Sequence, residues 1–149
     1  MTRPMLRVPL SIKLVTIHYC LKAISVLTHP PFRHVVLGFL ITGPVAAFTN
    51  ICFFLLWFYL SFGLGRLWEM ARRMAIGYEC YSLLDLFFYR FSPSFQFLIT
   101  ERASRSRLDY STVMLIGHIG LFIYGVLTCL IIWFLVKRKS AFVKPVQSA

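Results

Sequence analysis

Residues 111–136 read STVMLIGHIGLFIYGVLTCLIIWFLV, 26 consecutive positions without a charged side chain, closed abruptly by Lys137-Arg138-Lys139. A helix needs about 20 predominantly apolar residues to cross the roughly 30 Å hydrocarbon core of a bilayer. It satisfies its own amides and carbonyls there, which irregular backbone cannot do in lipid. This stretch is therefore predicted to be a transmembrane helix, and it sets the fold class for the rest of the chain.

A second charge-free stretch covers residues 35–65. Thirty-one helical residues would run about 46 Å, longer than the hydrocarbon core, and Gly43-Pro44 divides them. Proline is well tolerated in the first turn of a helix, so the predicted span is 44–64, with 35–43 an angled or interfacial approach. Trp57, Tyr59 and Trp68 lie toward its far end, where amphipathic rings sit at headgroup level, and Arg66 stops it.

Composition agrees. Hydrophobic residues make up 58% of the chain and charged residues 14%, against about 45–50% and about 25% in soluble domains. A chain of 149 residues cannot bury that surplus in one small core. The net charge of +11 would suggest nucleic acid in a soluble domain, but here the basic residues flank apolar runs, as the positive-inside rule describes, and no nucleic-acid-binding motif is present. Cys20, Cys52, Cys80 and Cys129 form no C-x-x-C pair and read as buried small hydrophobes rather than metal ligands.

The segments outside the two spans are mixed. Residues 1–34 hold Arg3, Arg7, Lys13, Lys22 and Arg33, and the first acidic residue of the chain is Glu69. Leu6, Leu10, Leu14, Ile17, Leu21 and Ile24 recur at steps of three and four, the spacing of one helical face. A basic, acid-free amphipathic start resembles a mitochondrial targeting segment. It also reads as a retained helix lying on an anionic membrane surface, ended by His29-Pro30-Pro31. In the basic loop 66–110, Glu69 stands three and four residues before Arg72 and Arg73, a helical ion-pair spacing. Residues 78–91 form an amphipathic pattern with Leu83, Leu84, Phe87, Phe88 and Phe91 on one face, broken at Ser92-Pro93-Ser94. This reads as an interfacial helix. A third crossing at 80–99 is the alternative, made costly by Asp85, Arg90 and the proline.

The flanks carry five and four basic residues without an acid, while the central loop carries seven basic and five acidic residues. Two spans put both purely basic flanks on one side, the matrix or cytoplasmic side. The expected fold is an all-α membrane protein: a two-span helical hairpin (35–65 and 111–136) with amphipathic interfacial helices and a basic tail at 137–149.

Within the second span, His118 is an ionisable group at membrane depth, which suggests haem, quinone or proton chemistry. A neutral histidine bonded to a backbone carbonyl is the plainer reading. Gly117, Gly120, Tyr124 and Thr128 form a stripe where another helix can approach closely, here read as a docking face for a partner. Asn50 and Thr49 read as interhelical hydrogen-bond formers. Arg72, Arg73, Arg102, Arg105 and Arg107 are candidates for binding anionic lipid such as cardiolipin. No nucleophile, phosphate-loop or metal motif is present, so no catalytic or metal-ligating residue is expected.

Ser25, His29, Arg33 and then Thr42-Gly43 resemble, in order, the serine–histidine–arginine cluster and T/S-G pair that lead into the first span of the cytochrome b-type membrane anchors of succinate dehydrogenase. The resemblance covers about a quarter of the chain. It implies quinone or haem binding, three spans and a haem histidine in the second. This chain spreads the cluster out and has no histidine in residues 78–99.

The leading expectation is a non-catalytic accessory subunit of a mitochondrial inner-membrane respiratory-chain complex. It would touch other membrane subunits and anionic phospholipid, hold no cofactor of its own, bind no nucleic acid, and have both termini in the matrix. An accessory subunit of the ATP synthase membrane region, a divergent succinate dehydrogenase anchor, and a small oligomeric channel or carrier are the alternatives.

Overall fold

The computed structural model describes residues 8–28, 33–106 and 108–142. It is 85% helical, with α1 (Leu10–Thr28), β1 (Arg33–Val36), β2 (Phe39–Thr42), α2 (Gly43–Gly65), α3 (Glu69–Phe91), α4 (Pro93–Arg105), α5 (Tyr110–Lys137) and a final 3₁₀ turn at Lys139–Ala141. Two of these, α2 and α5, are long and apolar enough to cross a membrane. Arg3, Arg7, Leu6, the His29-Pro30-Pro31 stop, Arg107 and the tail beyond Phe142 lie outside the described residues.

Local chemistry sets the helix ends. Pro44 occupies the first turn of α2 behind Thr42, as its fixed φ favours. At the other end the Trp68 amide reaches back to the Gly63 carbonyl at 2.8 Å. Asp109 caps α5, accepting the Thr112 amide at 3.2 Å. Ser92 ends α3 and caps α4, accepting the Phe95 amide at 3.2 Å while its hydroxyl donates to the Tyr89 carbonyl at 2.8 Å. Pro93 then starts α4. This break excludes one continuous helical crossing over 80–99. The pattern at 78–91 belongs instead to the second half of a single 23-residue helix. Ser92→Ala removes the cap, and a loss of about 1 kcal/mol is expected in thermal unfolding. An unchanged melting temperature would show the cap to be dispensable.

Residues 35–43 are not an angled approach but part of a β-hairpin, with Val36 opposite Phe39 and Arg33 opposite Thr42. Its turn residues Leu37 (φ 48°) and Gly38 (φ 80°) are both left-handed, as a tight two-residue hairpin turn of the right twist requires. The Leu37 amide donates to the Asp85 carboxylate, tying the turn to α3. A Cβ on Gly38 would stand 2.8 Å from Ser92 Cβ and 2.9 Å from the Phe88 carbonyl, so only glycine fits.

The four long helices pack lengthwise, each antiparallel to its neighbour. The Ser61 hydroxyl on α2 donates to the Thr16 carbonyl on α1 at 3.2 Å. Gly63 of α2 lies against Ala71 of α3, and Gly125 of α5 against Leu86 of α3. The main core combines Ile12, Val15 and Tyr19 of α1, Leu60 and Leu64 of α2, Ala71 and Ala75 of α3, and Ile131 and Leu135 of α5. Phe95 and Ile99 of α4 pack with Val113 in a smaller cluster against the first turns of α5.

The outside is as apolar as the inside. Leu10, Leu14, Ile17, Leu21 and Ile24 of α1 face outward, while the opposite face of α1 packs on α2. Leu84, Phe87, Phe88 and Phe91 of α3 also face out. Only 22% of the most apolar stretch of α2 and 17% of that of α5 is buried. All four cysteines are exposed rather than buried, and all four are free.

Candidate functional site

In an exterior of this kind the informative groups are polar ones turned inward. The strongest cluster lies where α1, α2, α3 and α5 meet. Glu79, in the middle of α3, is fully buried. Its Oε1 accepts the Tyr19 hydroxyl at 2.7 Å and stands 3.5 Å from the Lys22 ammonium. Lys22 Nζ in turn donates to the Tyr124 hydroxyl at 3.2 Å. Around that ammonium stand the rings of Tyr78 (4.9 Å), Tyr124 (5.3 Å), Tyr19 (5.7 Å) and Trp57 (5.8 Å). All are close enough for cation–π attraction, which strengthens when the cation is desolvated. A 220 Å³ cavity adjoins Lys22, walled by the rings of Phe53, Trp57, Tyr78, Tyr81 and Tyr124 and by the polar side chains of Ser82 and Asp85.

Isolated burial of either charge would be prohibitive; the pairing and the hydrogen bonds to Glu79 Oε1 and Lys22 Nζ offset part of that cost, while Glu79 Oε2 is buried with no hydrogen-bond partner among the described residues. Tyr19 and Lys22 sit three residues apart on α1 and therefore share a face. That spacing, with an acid at the centre of α3 in Glu79, is the signal in the sequence that would have pointed to the cluster. Nothing local pairs the two, because the contact joins distant parts of the chain.

A second inward polar site ties α3 to the end of α5. Arg72 is buried and forks onto Glu69 through Nε at 2.7 Å and Nη2 at 2.6 Å. Its Nη1 donates to the Leu135 carbonyl at 3.4 Å, one of the carbonyls a helix terminus leaves without an intrahelical partner. A cation is favoured at that negative end. The ion-pair spacing read from the sequence is realised, and Arg73 joins it at 3.0 Å. Glu69→Gln removes the carboxylate that both arginines share, and a lower melting temperature than wild type is expected. An unchanged melting temperature would contradict the pairing.

The remaining candidates divide. Arg72 is engaged within the chain rather than presented outward. Arg73 and Arg102 are exposed, and Arg105 is exposed but paired with Glu101 at 2.6 Å. The antiparallel packing sets Arg72 and Arg73 at the opposite end of α3 from the helix that carries Arg102 and Arg105. Thr49 bonds the Val45 carbonyl of its own helix at 2.8 Å rather than another helix, and Asn50 is buried. The small-residue stripe is used by the chain itself. Gly117 packs under Ile99, where a Cβ would come within 2.8 Å. Tyr124 meets Lys22, and Thr128 is buried. Gly120 alone of the four faces open space. His118 Nδ1 lies 2.7 Å from the Met114 carbonyl, the plainer arrangement foreseen for it, and its ring meets Phe95 edge-on. Ser25, from the succinate dehydrogenase-like series, donates to the Lys22 carbonyl, whereas His29 and the Arg33 side chain lie outside the described residues. No group of three or more His, Cys, Asp or Glu able to hold a metal occurs among the described residues. Compared with known proteins, the chain matches no family model, no curated protein and no solved structure.

Proposed function

We propose that this chain is a membrane-embedded helical bundle that serves as a non-catalytic accessory subunit of a larger assembly in the mitochondrial inner membrane. The observation that carries the membrane part is the inverted distribution of polarity: apolar residues cover the outer faces of the long helices, while Lys22, Glu79 and Arg72 point inward. Water-soluble monomers rarely expose contiguous apolar patches beyond a few hundred Å². Lipid is the solvent in which this surface is stable.

The packing extends the reading from two crossings to four. At 1.5 Å per residue, α1 is about 28 Å long and α2 and α3 about 34 Å each, close to the thickness of the hydrocarbon core. Because they lie side by side, a slab that contains α2 contains α1 and α3. Of the charges that make α1 and α3 unattractive as isolated spans, Lys22 pairs with Glu79 at mid-helix, Asp85 accepts the Leu37 amide, and Lys13, Glu69, Arg72, Arg73 and Arg90 stand in or beside the first or last turns of their helices. Four crossings, like two, leave both termini on one side, together with Arg66, Arg73 and the Lys137–Lys139 cluster. The basic, acid-free first third of the sequence supports import and a matrix-facing orientation.

A respiratory-chain complex is the first candidate assembly and the ATP synthase the second. The test is a gentle-detergent blue-native gel of mitochondria carrying a tagged copy, with mass spectrometry of the band. Comigration with one of these complexes is the expected result. Migration alone, or as a small homo-oligomer, would overturn the subunit reading in favour of a channel or carrier.

A further inference from the structure

Two surface depressions between α3 and α5 share Leu83, Leu86, Leu121 and Phe122 and so form one continuous groove. Its lower part, 580 Å³, runs along Gly125, Val126, Cys129, Leu130 and Trp133 and is almost wholly apolar. Its upper part, 390 Å³, ends at Arg90 and His118. From His118 to Trp133 the groove follows α5 for about 22 Å at 1.5 Å per residue, comparable to the length of an acyl chain in one leaflet. At its floor Gly125 lets Leu86 of α3 come close: a Cβ there would stand 3.2 Å from Leu86 Cδ2.

The polar end is chemically distinct from the rest. Among the described residues no carboxylate lies within ion-pair distance of Arg90. Its guanidinium instead lies near the rings of Phe91 and Phe95, at 5.6 and 5.7 Å. His118 donates Nδ1–H to the Met114 carbonyl, which leaves Nε2 as an acceptor, suited to a headgroup hydroxyl rather than to the phosphate. Arg90 also stands at the end of α3 that meets the β-hairpin, level with the start of α2. In the proposed bilayer this is headgroup depth, with the apolar groove leading from it toward the midplane.

We infer that this groove is a binding site for one anionic phospholipid, its phosphate held by Arg90 with His118 beside it and an acyl chain lying between α3 and α5. A planar guanidinium pairs with phosphate through two parallel N–H donors, and the unneutralised charge at one end of an otherwise apolar channel matches an amphiphile rather than a helix of another subunit. The inference rests on the membrane reading above and assigns a site separate from the arginines picked out in the sequence.

The test is native mass spectrometry of the full chain purified in neutral detergent and exposed to equal amounts of phosphatidylglycerol and phosphatidylcholine of the same acyl length. Wild type is expected to retain one phosphatidylglycerol at least about fivefold over phosphatidylcholine. Arg90→Gln is expected to abolish that preference with helical content unchanged, and Cys129→Phe, which fills the exposed groove, to reduce retention of both lipids. Retention without headgroup preference, unchanged in Arg90→Gln, would overturn the site while leaving membrane residence intact. A chain that retains neither lipid and stays monodisperse without detergent would overturn both. Preference unaffected by Arg90→Gln but lost in Arg102→Gln would place the headgroup elsewhere and also overturn it.

Discussion

Glu79→Leu is expected to be among the most damaging single substitutions in this protein, lowering stability by about 3 kcal/mol, because it strips the partly buried Lys22 ammonium of the carboxylate it pairs with. The Tyr19 hydroxyl loses its short acceptor at the same time and keeps only the Ala75 carbonyl at 3.5 Å. The aromatic rings around Lys22 cannot replace the carboxylate, since cation–π contacts are worth about 2 kcal/mol or little more even when desolvated. The double substitution Lys22→Met with Glu79→Leu removes both charges and fills the space with apolar atoms. It is expected to recover at least half of the loss, as buried pairs often do when replaced together. Thermal unfolding in a mild detergent, followed by helical signal, distinguishes the cases. If the single and double variants melt together, the pair is not coupled and the cluster is ordinary packing.

Gly63→Val is expected to have the second-largest effect. A Cβ at this position would lie 2.5 Å from Ala71 Cβ and 3.2 Å from the Trp68 ring, where the turn between α2 and α3 leaves no room to yield. Overpacking of this kind typically costs about 1–3 kcal/mol. Gly120→Val, which meets no atom within 4 Å, is the matched control and is expected to melt within about 0.5 kcal/mol of wild type. Equal destabilisation by both would show that valine is penalised for backbone reasons rather than for contact.

Much of the helical layout was legible because it is written locally. The absence of charge in 44–64 and 111–136, the proline after Gly43, the Ser92-Pro93 break and the Glu69–Arg72 spacing all act within a few residues, and each appears where the sequence places it. What was not legible is non-local. The stripe Leu10–Ile24 was visible, but its direction was not. Periodicity reports a face without saying what lies against it, and in the fold this apolar face of α1 turns outward while its opposite face packs on α2. The cysteines were misjudged for the same reason. The hairpin was hidden because its turn is Leu37-Gly38 rather than Asn-Gly or Asp-Gly, and Leu37 holds its unfavourable φ only with Asp85 of α3 accepting its amide. The Lys22–Glu79 pair was discounted one charge at a time, each looking like an obstacle to crossing a membrane, until the fold set them together. Of the candidate site residues, His118 met a backbone carbonyl, and Gly117, Tyr124 and Thr128 of the stripe pack within the chain while Gly120 faces open space.

The central claim is that α1, α2, α3 and α5 lie together in the bilayer, and the protein carries its own reporters. Each of these helices holds one exposed cysteine near its middle: Cys20, Cys52, Cys80 and Cys129. The measurement is labelling of intact membranes with a charged, water-soluble maleimide, followed by mass spectrometry of each cysteine, with a parallel sample unfolded in dodecyl sulfate. The account predicts that all four are protected in the membrane and all four react once unfolded. Labelling of Cys20 and Cys80 with protection of Cys52 and Cys129 would return α1 and α3 to the membrane surface. Labelling of all four in the native sample would contradict membrane burial itself.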